Sequence, residues 1–133
     1  MRGPEEHYAL AEDVSTRMYA PVMRTHRATV DQMAILEPVL SETITATCLT
    51  IIREATDEAV RRGVDKQAAF DFVLGHLNVE LAILFDQLPG VRMSDAANRA
   101  VERAKKEIFV PDWKKVFERD AITESIRAIT SGA

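Results

Sequence analysis

Four polar side chains interrupt the two most apolar stretches of this 133-residue sequence, and their types can carry out chemistry. Glu37 and Glu42 lie among aliphatic residues in the first stretch, and His76 and Glu80 lie in the second. A carboxylate in apolar surroundings needs a cation, a metal ion or hydrogen-bond donors, because otherwise it takes up a proton. Each stretch is therefore a candidate functional site.

Pro38 directly follows Glu37 within a helical pattern. A proline there removes one backbone hydrogen bond and clashes with the Ala34 carbonyl, at a cost of about 3 kcal/mol unless a kink relieves it. Side chains five residues apart on a regular α-helix point about 140° apart. We therefore expect a kink to bring Glu37 and Glu42 toward one cavity, with an ordinary ion pair or capped turn as the alternative.

His76 and Glu80 are four residues apart, which places them on one face of a helix. Such a pair can bind a metal ion jointly, or the carboxylate can orient the imidazole for proton transfer. A core histidine that is hydrogen-bonded between two helices gives the same pattern. His26 lies in a connector before the long apolar helix, where it could face a cleft.

Composition excludes several classes of function. The net charge is −4, and five Phe, two Tyr and one Trp are too few to form the stacking platforms of a nucleic-acid-binding protein. Cys48 is the only cysteine, which fits a reducing cytoplasm. The N-terminus lacks the apolar segment of a signal peptide, and no apolar run approaches the roughly 20 residues of a membrane span. We expect neither nucleic acid nor membrane as a partner.

The elements that must position these residues are mostly helices. Helical patterns cover residues 4–19, 30–62, 66–86, 94–106 and 120–130, while residues 22–27 suit a strand or an extended connector. Thr29 and Gln32 form a capping box before the long helix, and Gly63 stops it. The β-branched run at 43–47 favours a strand locally, but the signals at both ends indicate one helix.

The first half of the long helix and most of the helix at 66–86 are apolar on nearly every side. We expect the first half of the long helix to be buried all round. A domain of this size cannot hide two such helices easily, so either they pack centrally against the smaller helices or a second subunit covers them. Because a large exposed apolar patch usually marks an interface, the sequence favours a homodimer through the helical domain.

Three separated segments carry a family resemblance. The first runs from Thr25-His26-Arg27 to Thr43 and includes Gln32-Met33-Ala34-Ile35-Leu36-Glu37-Pro38 and Leu40-Ser41-Glu42-Thr43. The second is Gly75-His76-Leu77-Asn78-Val79-Glu80-Leu81-Ala82. The third consists of Ile108-Phe109 and Asp112-Trp113-Lys114-Lys115-Val116-Phe117. They resemble the phosphogluconate dehydrogenase-like C-terminal domain of NAD-dependent oxidoreductases, above all its D-apionate oxidoisomerase-like branch. The resemblance covers nearly the whole chain.

The resemblance implies a mainly α fold built round a long kinked helix that lines an active site. Residues 1–29 would be the last helix and strand of a Rossmann-type nucleotide-binding domain, and residues 30–133 a helical domain that binds substrate and dimerises. The sequence has no Gly-rich phosphate loop. It therefore supplies no cofactor-binding residue, and NAD(P) would bind only through a domain that the chain lacks.

The wider hydroxyacid dehydrogenase family has a catalytic lysine in this helix and an asparagine four residues later. Counted back from Arg53-Glu54-Ala55, which resembles the family's Glu-Ala end of this helix, the resemblance puts Pro38 at the lysine position and Glu42 at the asparagine position. The missing lysine argues against lysine-assisted oxidation, and the oxidoisomerase-like branch implies instead a divalent metal, zinc or magnesium, held by Glu42 and Glu37. The resemblance also implies that His76 and Asn78 contact substrate or transfer protons, with Glu37 as a further catalytic candidate.

The function expected from these residues is that of the C-terminal domain of an NAD-dependent oxidoreductase acting on a polyhydroxy sugar acid. The chain alone would be inactive, because the phosphate-binding loop required by the cofactor is absent from it. A stand-alone helical dimerisation or regulatory module without catalysis is the alternative. Metal binding without redox chemistry is a third interpretation.

Overall fold

The computed structural model describes residues 3–131, and its regular structure over that range is entirely helical. We number the helices α1 (Glu5–Met18), α2 (Val30–Arg61), α3 (Lys66–Leu84), α4 (Asp95–Ile108) and α5 (Arg119–Thr130), with a 3₁₀ helix at Trp113–Phe117. The mainly α fold class predicted from the sequence is confirmed. The helix bounds differ from the predicted ones by only a few residues.

Side-chain caps mark where three of the five helices begin, namely α2, α3 and α4. The Thr29 hydroxyl accepts a hydrogen bond from the Gln32 amide, and the Gln32 side chain accepts one from the Thr29 amide. Asp65 and Ser94 cap α3 and α4 by accepting from the amides three residues ahead. These side chains satisfy donors that the first turn of a helix leaves unpaired.

The described residues fall into two compact units. One unit contains the residues up to Ile44 together with those from Val116 onward, and the other is Thr45–Lys115. In the second unit, a short connection after Arg61 leads from α2 into α3, and these two helices make the most extensive helix–helix contact among residues 3–131. The predicted domain boundary between residues 29 and 30 concerns a longer protein and stays a prediction.

The predicted strand at 22–27 does not form. Residues 24–29 lie outside any helix or turn, but residues 3–131 contain no β-strand. A strand needs a neighbour to accept and donate its backbone hydrogen bonds. Without such a neighbour the segment is a connector, the second of the two alternatives that its pattern left open.

The expectation that the first half of α2 is buried all round is wrong for this chain. Val39 is fully buried and Pro38 is buried beside it, but large apolar side chains elsewhere in this half are largely exposed, among them Leu36, Leu40 and Leu49. By length and composition, α2 also meets the criterion for a membrane-crossing helix, which the sequence analysis did not anticipate. The chain itself provides too little surface to cover this helix.

Candidate functional site

The middle of α2 is a π-helix, which runs from Ile35 to Ala46 and contains Pro38. In this register each turn closes between residues i and i+5 instead of i and i+4. The change begins just after Ala34, whose carbonyl would meet the proline ring in a regular α-helix. The steric conflict between Pro38 and the Ala34 carbonyl is thus relieved by a change of helical register, whereas the sequence predicted a kink.

The π register changes the relation between Glu37 and Glu42. Because hydrogen-bonded partners in a π-helix are five residues apart, side chains five apart lie on the same side of the helix. The angle between them is therefore well below the value of about 140° that a regular α-helix would impose, and both carboxylates lie on one side of α2. Both side chains are exposed, so neither needs the compensating partner that burial would have required.

The two carboxylates do not form a complete metal site within the described residues. Among residues 3–131, no group of three or more His, Cys, Asp or Glu side chains is arranged to hold a metal ion. Carboxylate oxygens suit hard cations such as Mg²⁺ and Ca²⁺, which take six or more oxygen ligands. Glu37 and Glu42 can therefore supply only part of a coordination sphere.

His76 is held by the backbone of its own helix. Its Nδ1 lies 2.9 Å from the Phe72 carbonyl oxygen, and its ring stacks on that of Phe72 with centroids 4.1 Å apart. A carbonyl oxygen can only accept, so Nδ1 carries the proton and the neutral ring has its lone pair on Nε2. The carbonyl takes the orienting role that the sequence analysis gave to Glu80.

The surroundings of His76 are open to solvent. The imidazole is exposed and borders a shallow depression lined by Asp71, Phe72, Gly75 and Val79. Nε2 can therefore reach a small molecule or a metal ion that approaches α3 from this side. The chemistry available is acceptance of a proton or donation of a lone pair.

Asn78 points elsewhere on the same helix. Its side-chain amide donates to the Leu74 carbonyl at 3.0 Å, which leaves its own oxygen as an acceptor. Two residues along an α-helix correspond to a rotation of about 200°, so His76 and Asn78 lie on nearly opposite sides of α3. The structure does not bring these two predicted catalytic residues together.

A further cavity of about 530 Å³ lies between α1 and the connector before α2. Residues from both elements form its walls, including Tyr8, Glu12, Thr25, His26 and Arg27. Thr25 donates to Glu12, so the connector is held against α1. His26 was predicted to lie in a connector where it could face a cleft. No pattern in the sequence indicated that α1 forms the other wall of that cleft.

Arg27 makes the strongest polar contacts of this cavity. It forms an ion pair with Glu5, and its guanidinium carbon lies 5.3 Å from the centre of the Tyr8 ring. The hydrogen bond that Arg27 donates to the Glu5 carboxylate raises the pKa of Arg27 above its ordinary value. The guanidinium therefore stays charged at physiological pH, and the Glu5 carboxylate balances its charge.

Comparison with known proteins agrees with this helical arrangement. The model of the family described as phosphogluconate dehydrogenase (decarboxylating), C-terminal, matches residues 1–130. The D-apionate oxidoisomerases of Cupriavidus necator and Rhizobium rhizogenes are 56% and 52% identical over 130 residues, which are 98% of this chain and 47% of each relative. The chain thus spans about half the length of the curated relatives it matches.

A solved structure shows the same fold. The crystal structure of a semialdehyde dehydrogenase NAD-binding protein from Cupriavidus necator in complex with calcium and NAD superimposes with a TM-score of 0.91 at 56% sequence identity. The match covers 97% of this chain and 46% of that one. The arrangement of helices described here therefore also exists within a longer protein.

Proposed function

Since the chain belongs to the phosphogluconate dehydrogenase (decarboxylating) C-terminal family, we propose that it is the helical half of an NAD-dependent oxidoreductase acting on a polyhydroxy sugar acid. The observation that carries the proposal is the close similarity, over 98% of the chain, to a D-apionate oxidoisomerase of twice its length. Two local features agree with it: α2 carries a pair of carboxylates on one side, and α3 carries an imidazole oriented by its own helix.

The residues of this chain do not fit a bound dinucleotide by themselves. Dinucleotide sites need a glycine-rich turn between a strand and a helix that lets the backbone approach the pyrophosphate. Here Gly63 and Gly90 lie in turns after helices, and Gly75 lies inside α3. We assign NAD binding to the part of a longer protein that this chain lacks, where NAD would accept the hydride.

His76 is the residue to which we assign proton transfer. Its Nε2 is unprotonated in the neutral ring and exposed, so it can take the proton of a substrate hydroxyl as the carbon bearing that hydroxyl is oxidised. The Phe72 carbonyl fixes the tautomer. We give Asn78 no part in the same step, because it lies on the other side of α3.

Glu37 and Glu42 are the residues that would hold a divalent cation. The cation would polarise a hydroxyl or carbonyl oxygen of the sugar acid. The all-oxygen donor set favours magnesium or calcium over zinc. The remaining ligands would come from the substrate, from water or from the rest of a longer protein.

The proposal is tested by joining this chain to the half of the Cupriavidus necator oxidoisomerase that it does not match, in place of the matching 130 residues. We expect the chimera to reduce NAD with D-apionate and the 133-residue chain alone to be inactive. In the chimera, His76→Gln and Glu42→Gln should each lower kcat by about a hundredfold or more. Glu54→Gln, on the charged half of α2, is the matched control and should leave kcat unchanged.

A chimera that folds, binds NADH and shows no turnover would contradict the proposal and favour the non-catalytic module. Tight NADH binding to the 133-residue chain alone, seen by fluorescence titration, would contradict the assignment of the cofactor to the other half. Both measurements use the same purified proteins.

We also propose that a second copy of the chain covers the exposed apolar surface of α3. Leu74, Leu81 and Phe85 recur at intervals of seven and four residues, so they form one ridge, and each is between 49% and 69% exposed. The same unit contains a groove between α2 and α3 whose walls include Ala55, Ala59 and several other small residues. The ridge of large side chains and the groove lined by small residues lie on the same chain and are complementary in shape, as a symmetric interface requires.

The apolarity of α2 fits the same proposal better than it fits a membrane. A carboxylate at the bilayer centre costs about 2.5–3.5 kcal/mol on insertion scales, and α2 contains both Glu37 and Glu42. Protein cover would leave these two groups at the edge of an interface, where water or a cation can reach them. We therefore interpret the long apolar helix as an element of subunit contact.

A further inference from the structure

The hydroxyl of Thr43 makes a hydrogen bond that differs from those of Ser15, Thr50, Thr56 and Thr123. In α1, α5 and the regular end of α2, Ser and Thr hydroxyls donate to the carbonyl four residues back, as Ser15, Thr50, Thr56 and Thr123 do. Thr43 instead donates at 2.7 Å to the Pro38 carbonyl, five residues back. The side chain thus follows the i to i+5 register of the backbone around it.

This hydrogen bond lies in the π-helical part of α2, where additional interactions are needed to keep the i to i+5 register. The π-helix is rare because its hydrogen bonds compete with the ordinary i to i+4 pattern. Pro38 has no N–H to contribute, and Val39 beside it is fully buried, so one side of this turn is fixed by packing. The Thr43 hydroxyl adds a partly buried tie across the turn that contains Glu42.

We propose that Thr43 is a positioning residue that holds the π register and thereby keeps Glu37 and Glu42 on one side of α2. The role of the carboxylate pair itself rests on the proposed function. In a regular α-helix Glu42 would lie about 140° from Glu37. The Thr43 hydroxyl thus helps to keep the two carboxylates where they can act on one ligand.

The experiment compares three variants of the complete chain. Thr43→Val removes the hydroxyl at nearly constant shape, and Thr43→Ser keeps it. Thr50→Val is the matched control, because Thr50 makes an ordinary bond to Ala46 in the same helix. Far-UV circular dichroism checks that each variant is folded.

The primary measurement is the hydrogen-bond register by NMR couplings across backbone hydrogen bonds in deuterated protein. In the wild type we expect the Glu42 amide to couple to the Glu37 carbonyl, and in Thr43→Val to the Pro38 carbonyl. Thr43→Ser and Thr50→Val should retain the wild-type coupling. If the Glu42 amide of Thr43→Val still couples to the Glu37 carbonyl, the proposal is overturned. It is also overturned if Thr43→Val does not fold and Thr43→Ser, which keeps the hydroxyl, loses the π register.

The second measurement uses the chimera and separates positioning from mere stability. With Thr43→Val we expect kcat to fall on the order of a hundredfold, as misplacement of a catalytic group does, with KM for NAD unchanged and activity rescued by Ser. An unchanged kcat after loss of the π register overturns the positioning role. A wild-type chimera without activity contradicts the proposed function alone, because the NMR register still decides whether Thr43 holds the π-helix.

Discussion

Polar side chains in the apolar helices of this protein are oriented by backbone carbonyls of their own helix. His76 donates to Phe72, Asn78 to Leu74 and Thr43 to Pro38. A carbonyl on the preceding turn is always within reach of such a side chain, so the geometry does not depend on a distant residue. Each contact leaves a defined atom free, which in His76 is Nε2.

Glu58 is the carboxylate with the most ion-pair contacts, and it gives a prediction on pH dependence. It accepts hydrogen bonds from Arg61 and Arg62, and these lower the pKa of its carboxyl below the ordinary value. A lowered folded-state pKa means that this stabilisation is present above the ordinary carboxyl pKa of about 4.3 and is lost as the pH falls through the lowered value. We expect Glu58→Gln to narrow the difference in Tm between pH 7 and pH 3.

The control for this prediction is Glu54→Gln, which changes an exposed carboxylate in the same helix. Its Tm difference between the two pH values should match that of the wild type. A Glu58→Gln variant with the full wild-type difference would show that the arginine contacts do not persist in solution. Thermal unfolding followed by circular dichroism is sufficient to measure all three proteins.

At the scale of elements, the ends of the helices depend on local backbone geometry that can be predicted from the sequence. After α2, the Gly63 amide donates to the Val60 carbonyl and the Val64 amide to the Ala59 carbonyl. This is the pairing of a Schellman motif, which places the residue after the C-cap in the left-handed region. Gly63 has φ +100°, and Asp86 takes the corresponding position after α3 with φ 54°.

The two glycines at 63 and 75 should respond oppositely to alanine. Gly63→Ala places a Cβ in the left-handed region and should lower the free energy of unfolding by about 1–2 kcal/mol. Gly75→Ala lies inside α3 with no atom within 4 Å of the added Cβ, and should raise it by up to about 1 kcal/mol. Urea denaturation measures both, and changes of the same sign would contradict the assigned backbone geometry.

At the scale of the whole molecule, exposed apolar surface is the dominant feature. In the unit Thr45–Lys115, only Thr56 and Ala69 are buried, although α3 is apolar along most of its length. A stable fold needs this surface covered, since burial of apolar area is the main favourable term in folding and association. In our proposal a second copy of the chain covers this surface.

The subunit proposal predicts a change of mass in solution. The wild-type chain should sediment as a dimer at micromolar concentration, and Leu81→Glu should convert it to a monomer by placing a charge in the ridge. Leu10→Glu on α1, at a residue that is 64% exposed, is the control and should remain dimeric. A monomeric wild type, or equal dissociation of both variants, would contradict the assigned interface.

The sequence determined the features of this protein that depend on neighbouring residues. The mainly helical fold, the capping box at Thr29 and Gln32 and the stop at Gly63 were predicted, because a helix end is decided by donors and acceptors within about four residues. The family resemblance was also legible from separated segments. The apolarity of α2 and α3 was also plain from the sequence, but it led to the wrong expectation that the first half of α2 is buried all round.

Only the tertiary structure decided the hydrogen-bond register of α2 and the separation of His76 from Asn78. It also decided that residues 22–27 form a connector and not a strand. The choice between α and π registers near Pro38 depends on small differences between competing hydrogen bonds and on the burial of Val39, neither of which a periodic pattern contains. An extended segment becomes a strand only when a partner strand lies beside it. These outcomes rest on contacts between parts of the molecule, so no local pattern could fix them.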